Sequence, residues 1–199
     1  MVSCLLLSAG LSERFGSLKA LAIYERNTTL IERQQKMLLN SQVDEMIIVL
    51  GAYAQKIKPY LLKHKKIKFV YNKDYNLGQA SSFKVGLQSI GQAIQGVMLL
   101  PIDFPCIQTK TINILISYFT EKFPLILIPT FKGIKGHPPI FNMKLKDEFL
   151  NLDSSLGLNT VAHQHPEAVR YLPVEDQGIL KSFNTKEEYA KLIKELPEK

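Results

Sequence analysis

Val2-Ser3-Cys4-Leu5-Leu6-Leu7-Ser8-Ala9-Gly10 is the stretch that decides the fold. Residues 2–7 form a nearly continuous apolar run, and three small residues follow it. That pattern reads as a buried strand entering a loop. Working outward, similar runs recur at residues 46–50, closed by Gly51, at Ile67–Tyr71, at 96–100, cut off by Pro101, and at 125–128. Between them lie helical patterns. Thr29 reads as the N-cap of an amphipathic helix to about residue 39, with Leu30, Ile31, Met37 and Leu38 inward. Residues 54–62 read as helical with a break or offset at Pro59, residues 80–90 as a helix, and Thr109 as the cap of another to about 119. Strand and helix in alternation predict an α/β fold, a single three-layer domain whose mainly parallel, Rossmann-like sheet is covered on both faces.

After Pro129 the pattern changes. A loop containing Gly133, Gly136, His137, Pro138 and Pro139 leads to a short strand at Ile140-Phe141. Helical stretches near 144–151 and 157–163 follow, then a strand at 168–174 and a last helix from Thr185 to about Leu196. No repeat, low-complexity segment or linker divides the chain, so residues 1–199 are taken as one domain.

Composition bounds the function classes. With 46% hydrophobic and 22% charged residues the chain has an ordinary core that needs no staples. Cys4 and Cys106 are too few for a disulfide framework or a four-cysteine zinc site, and read as free thiols in a reducing compartment. The N-terminus lacks a basic leader, and no apolar run approaches about 18 residues. A cytoplasmic protein with no membrane partner is expected. The net charge of +7 invites a nucleic-acid reading. However, the lysines are spread along the chain, and the densest cluster, Lys63-His64-Lys65-Lys66 with Lys68, reads as a solvated turn. No nucleic-acid partner is expected, and the positive field suits a polyanionic small ligand.

Four segments carry candidate chemistry. In Leu7-Ser8-Ala9-Gly10-Leu11-Ser12-Glu13-Arg14-Phe15-Gly16-Ser17-Leu18-Lys19, small residues let the backbone approach a ligand, and Arg14 and Lys19 add fixed positive charge. The segment is neither a Walker A loop nor a G-x-G-x-x-G fingerprint. In Asn72-x-x-Tyr75-x-x-Gly78-x-x-Ser81-Ser82, a glycine precedes a hydroxyl-rich helix start, where backbone can read the edge of a base. In Leu99-Leu100-Pro101-Ile102-Asp103-Phe104-Pro105, a carboxylate lies just past a buried strand, where open α/β sheets bind ligands. Asp103 there suits Mg²⁺, which takes one or two carboxylates together with waters and phosphates. The loop Pro129-x-x-x-Gly133-x-x-Gly136-His137-Pro138 holds a lone histidine, and a structural role competes with a ligand-facing one.

The first segment resembles the L-x-A-G-x-S-x-R-M-G-x-x-K signature of the MobA-like nucleotidyltransferases, with Phe15 in place of the usual Met. Within that family the chain looks most like the molybdenum-cofactor cytidylyltransferase branch. The other segments resemble that branch's N-x-x-W/Y-x-x-G-M-S-S-S-L, L-x-D-x-P and P-x-x-x-G-x-x-G-H-P elements, although Ala80 and Phe83 depart from it. The resemblance spans about residues 5–189. It implies transfer of a nucleoside monophosphate from an NTP to a small phosphorylated acceptor, molybdopterin or the molybdenum cofactor, with a mixed sheet and Mg²⁺ as cofactor. Leu7, Ser8, Ala9, Gly10, Arg14 and Lys19 would hold the nucleotide, Gly78 and Ser82 the base, Asp103 the metal, and Gly136 and His137 the acceptor. A molybdoenzyme or its maturation factor would be the protein partner. Guanylyl-transferring relatives carry two glycines at the positions of Ala9-Gly10, which favours CTP here. Ser182-Phe183-Asn184 stands where relatives carry D-x-D, so Asn184 would be a neutral second metal ligand. Asp153-Ser154-Ser155-Leu156-Gly157 only loosely matches the family's G-D-x-G. A sugar or polyol phosphate as acceptor and a catalytically weak nucleotide-binding regulator remain alternatives.

Overall fold

Every residue of β1, Val2–Ser8, is buried, because it is paired on both edges and covered on both faces. The computed structural model describes residues 1–153 and 156–195. A small hairpin, β2 (Ile23–Glu25) with β3 (Thr28–Thr29), follows the first loop and leads into α1 (Leu30–Leu39). Thr29 caps α1 as expected. The Glu32 carboxylate accepts from its backbone N–H at 2.8 Å and its hydroxyl at 2.5 Å, which holds that carboxyl below the usual range. Next come β4 (Glu45–Leu50), α2 (Ala54–Ile57) and β5 (Ile67–Tyr71). At Pro59 the α2 turn tightens into a 3-10 turn, Lys58–Tyr60.

The remaining elements are α3 (Gln79–Gln88), β6 (Gly96–Pro101), α4 (Thr109–Lys122), β7 (Ile126–Phe131), β8 (Ile134–Lys135), β9 (Ile140–Asn142), α5 (Lys146–Asn151), α6 (Asn159–Gln164), β10 (Val169–Pro173) and α7 (Lys186–Lys194). The sheet order is β10-β7-β9-β6-β1-β4-β5, with β8 paired to β7. All neighbours along that order run parallel except β9, which is antiparallel to both β6 and β7. The sheet is therefore mixed and mainly parallel, within a single α/β domain.

The alternation of strand side chains separates two cores. Cys4, Leu6, Met46, Ile48, Met98 and Leu100 pack with Leu30, Ile31, Ile112, Leu115 and Phe119 of α1 and α4. Leu5, Leu7, Ile47, Val49, Val97 and Leu99 pack with Phe83 and Leu87 of α3 and Phe149 of α5. Phe83, with no exposed surface, sits edge-on to Phe149 at 4.9 Å and Phe141 at 6.0 Å. Burying one such ring stabilises the fold by roughly 1.5–3 kcal/mol. Both cysteines are free, Cys4 being buried and Cys106 partly so.

Some sequence expectations shift. The α4 N-cap is Gln108, and Thr109 is its first helical residue. Helix α6 begins at Asn159, later than residue 157. Of the proposed G-D-x-G counterpart, Ser154 and Ser155 lie outside the described residues, as does Leu196 at the end of the last helix. Among the described residues no helix is long and apolar enough to cross a membrane.

The topology fixes where a ligand meets the sheet. The chain passes from β1 outward to β4 and β5, then returns to β6 on the other side of β1. A crevice opens at such a reversal, at the carboxyl ends of the strands. Because β9 runs the opposite way, the loop that enters it reaches the same rim, where Leu99 N–H bonds Pro139 C=O at 3.0 Å.

Candidate active site

The loop that leaves β1 makes two 3-10 turns, Glu13–Phe15 and Lys19–Leu21. Ser12 (φ 57°) and Gly16 (φ 68°) flank the first in left-handed conformations. Such backbone is uncommon for serine and recurs at ligand sites. Phe15 is buried against Phe183 at 5.3 Å and Tyr189 at 5.7 Å. That cluster accounts for a large apolar side chain at the position and ties the loop to the segment entering α7.

Lys19 is thereby aimed inward. Its Nζ donates to Asp103 Oδ2 at 3.1 Å, Phe183 C=O at 2.7 Å and Asn184 Oδ1 at 3.4 Å, and lies 5.0 Å from the Phe183 ring centre. Asn184 is itself held. Its N–H donates to Glu188 Oε2 at 2.5 Å, and Thr185 N–H to the same oxygen at 3.3 Å. These bonds keep the exposed Glu188 carboxyl below the usual range. The capping box of α7 is thus also the mount for Asn184.

The loop, the ends of β1 and β6, and the start of α3 enclose a cleft of about 360 Å³. Leu7, Ser8, Ala9, Gly10, Arg14, Lys19, Gly78, Ser82, Asp103 and Asn184 all line it. Residues that sequence reasoning did not assign to it include Ile57 and Gln79. At Gly10 a side chain would point into open space, and Gly78 has φ 92°. Gly51 does the close-approach work, since a Cβ there would come within 2.3 Å of Ala9 C=O and 2.8 Å of Tyr75 Cβ. The loop after β1 and the Asn72–Gly78 segment therefore meet closely across Gly51. Asn72 is buried, and its Nδ2 donates to Ser81 Oγ at 2.9 Å and Ser82 Oγ at 3.0 Å. That network fixes the hydroxyl-rich start of α3.

Gly136 and His137 are not among the residues lining this cleft. Gly136 is explained by packing, since a Cβ would meet Ile179 C=O at 2.6 Å. His137 follows Gly136 and precedes a cis peptide bond to Pro138. Its N–H donates to Ile179 C=O at 2.9 Å, and its ring stacks on Phe104 with centres 4.2 Å apart, which sets it beside the Asp103 turn. Burial pushes the imidazole below the ordinary histidine range, while the Asp103 charge acts in the opposite direction. The unfolded chain therefore takes up a proton as pH falls through about 6.5, before the folded one does. The stability lent by the neutral ring is complete above that pH and declines below it. His137→Gln is expected to flatten this part of the pH profile, read as denaturation midpoints between about pH 7 and 5.

Sequence reasoning missed Asp176. This buried residue accepts from Gln108 N–H at 2.9 Å, Thr111 Oγ1 at 2.6 Å and Gly178 N–H at 2.8 Å. It ties the N-terminus of α4 to the Gln177–Leu180 turn. Asp-x-Gly signals a turn in sequence, but not partners so far upstream.

The donors also fit a cation. Carboxylate, amide and carbonyl oxygens of Asp103, Asn184 and Phe183 converge on one point, where the Lys19 ammonium stands in for a positive ion. Among the described residues no three His, Cys, Asp or Glu side chains gather around a metal site. Oxygen ligands of this kind, two or three in number, suit a hard ion whose remaining ligands are phosphates and water.

A mainly parallel sheet bearing a cationic loop at its reversal point, facing an oxygen-lined rim, defines a nucleotidyltransferase-type domain. The chain belongs to the family of the MobA-like NTP transferase domain, which matches residues 4–169. It is similar to nicotine blue oxidoreductase of Paenarthrobacter nicotinovorans, 24% identical over 96% of both chains. It is also similar to the molybdenum cofactor cytidylyltransferase of Escherichia coli K12, 26% identical over 69% of this chain and 68% of that one. In fold it resembles Rv0371c of Mycobacterium tuberculosis H37Rv, with a TM-score of 0.84 at 23% identity over 98% of this chain and 100% of that one. The same mycobacterial protein has been solved as a complex with manganese, with a TM-score of 0.80 at 22% identity over 98% and 99% of the two chains.

Proposed function

We propose that the chain transfers a nucleoside monophosphate, CMP from CTP first, onto the phosphate of a small acceptor of the molybdopterin type. An acceptor phosphate oxygen attacks the α-phosphorus, the bond to the β-phosphate bridging oxygen breaks, and pyrophosphate leaves. The observation that carries this reading is the meeting of Lys19, Asp103 and Asn184 at one rim of the cleft. Lys19 and Arg14 hold the triphosphate and oppose the charge that builds on it. Gly78 and Ser82, which line the same cleft, would take the base. An acceptor phosphate is already ionised, so His137 has no proton to remove and its stack on Phe104 positions the acceptor side.

Asp103 and Asn184 would hold Mg²⁺, which when bound supplies charge neutralisation at the α-phosphate. The manganese bound by the mycobacterial relative supports a divalent ion. The similarity to a molybdenum cofactor cytidylyltransferase supports cytidylyl transfer to that cofactor, and a molybdoenzyme or its maturation factor would then be the protein partner. A second reading, a weak nucleotide-binding regulator, draws on the neutral Asn184.

Thermal melts with CTP, GTP, UTP and ATP, each with and without Mg²⁺, test the nucleotide. A ligand at one hundred times its Kd adds about 2.7 kcal/mol, a rise of roughly 5–10 °C for a domain this size. The expected result is a magnesium-dependent rise that is largest with CTP. A larger rise with GTP overturns the CTP assignment, and none with any nucleotide overturns the transferase reading. Pyrophosphate release with pterin, sugar-phosphate and polyol-phosphate acceptors then separates the acceptors. Binding without release favours the regulator.

A further inference from the structure

The lysines are spread along the chain, but in one segment no acidic residue balances them. Residues 46–73 contain seven lysines and no aspartate or glutamate, and that segment alone accounts for the net charge of +7. Lys66 donates to Val43 C=O at 2.8 Å and Lys68 pairs with Glu45 at 2.6 Å. Lys56 and Lys58 are exposed and rest over the rings of Tyr53 at 5.6 Å and Phe69 at 5.3 Å. They have no carboxylate partner among the described residues.

This charge surrounds a free sheet edge. Strand β5 ends the sheet on its side. Asn72 N–H bonds Leu50 C=O and Met46 N–H bonds Lys66 C=O, so the even-numbered residues of the strand face β4. Alternation then turns the N–H and C=O of Phe69 and Tyr71 outward. The same two residues are half exposed, 51% and 52%, and line one groove of about 490 Å³ with Tyr53, Lys56 and Lys58.

We propose that the β5 edge docks an extended acidic segment of a partner protein, which adds to the sheet as a strand. The outward amides and carbonyls supply main-chain pairing, the groove receives alternate apolar side chains, and the lysines select carboxylates. A second copy of this chain is disfavoured, because it would bring lysines against lysines. A nucleic acid meets the charge but lacks the amide groups that an open strand edge pairs. The turn between Gly51 and Ile57 contributes residues to both the groove and the nucleotide cleft, so the partner is held beside the reaction.

The test uses the full chain and a fluorescent peptide of alternating glutamate and valine, with an oligouridylate as competitor. Saturable binding is expected, with slowed hydrogen exchange at the Phe69 and Tyr71 amides. The double variant Lys56→Glu/Lys58→Glu is expected to bind at least about tenfold more weakly while its melting temperature and nucleotide binding stay unchanged. Binding without protection at those two amides overturns strand addition. Tighter binding of the oligouridylate overturns the choice of a protein partner, and no peptide binding at millimolar concentration overturns the site.

Discussion

Lys19→Ala is expected to lower nucleotidyl transfer by about a hundred- to a thousand-fold, the loss typical when one preorganised charge is withdrawn from a transition state. Lys19 Nζ reaches Asp103, Phe183 and Asn184 at once, and the neighbouring Arg14 is an exposed side chain on a separate turn. Among the described residues, Lys19 is the cation that pairs with Asp103, and Arg14 does not take its position. The same substitution leaves Asp103 without its 3.1 Å partner. Asp103 keeps some access to water, so the stability lost is on the order of 1 kcal/mol, small beside the kinetic effect. Steady-state pyrophosphate release checks the rate, and a melt of the same sample checks the fold. A variant that folds normally and turns over at the parental rate removes Lys19 from the mechanism. Asp103→Asn separates the two roles of the rim, since it should raise the magnesium concentration required far more than the KM for nucleotide.

Asp176→Ala is expected to cost about 3 kcal/mol, or roughly 6–12 °C in melting temperature. The carboxylate is buried and accepts from three donors at 2.6–2.9 Å. Alanine leaves those donors facing one another with no acceptor. Asp176→Asn retains one oxygen and should lose about half as much. The effect belongs to stability. Asp176 braces the turn whose Ile179 C=O accepts from His137 N–H at 2.9 Å, so any change in turnover should appear in the KM for the acceptor. A melt that matches the parent's shows that the three bonds contribute nothing net.

The contrast between these residues shows what a sequence exposes. Asp103 stood out because it lies just past a buried apolar run, whereas Lys19 stood out as a basic residue in the small-residue loop after β1, its role implied by the resemblance. Asn184 was legible only through the resemblance, as the neutral residue at an acidic position. Asp176 was not legible, because its partners on α4 lie 65 and 68 residues upstream and no local period marks them. For the same reason Thr109 was read as a cap when the carboxylate at that helix start comes from elsewhere. The hairpin of β2 and β3 escaped because Ile23–Glu25 is only three residues long with one buried, too short for a period of two to show. The position of β9 between β6 and β7 follows from a long-range pairing that its three residues do not encode.

The separations around Lys19 also set an order in time. Its three partners lie 84, 164 and 165 residues downstream. During synthesis the loop and β1 come first, Asp103 follows at about the midpoint of the chain, and Phe183 and Asn184 come only near its end. One side of the rim is thus synthesised long before the other. Only when the turn before α7 has been made can Phe183 and Asn184 close on the ammonium, so the surroundings of Lys19 are completed by nearly the last residues of the chain.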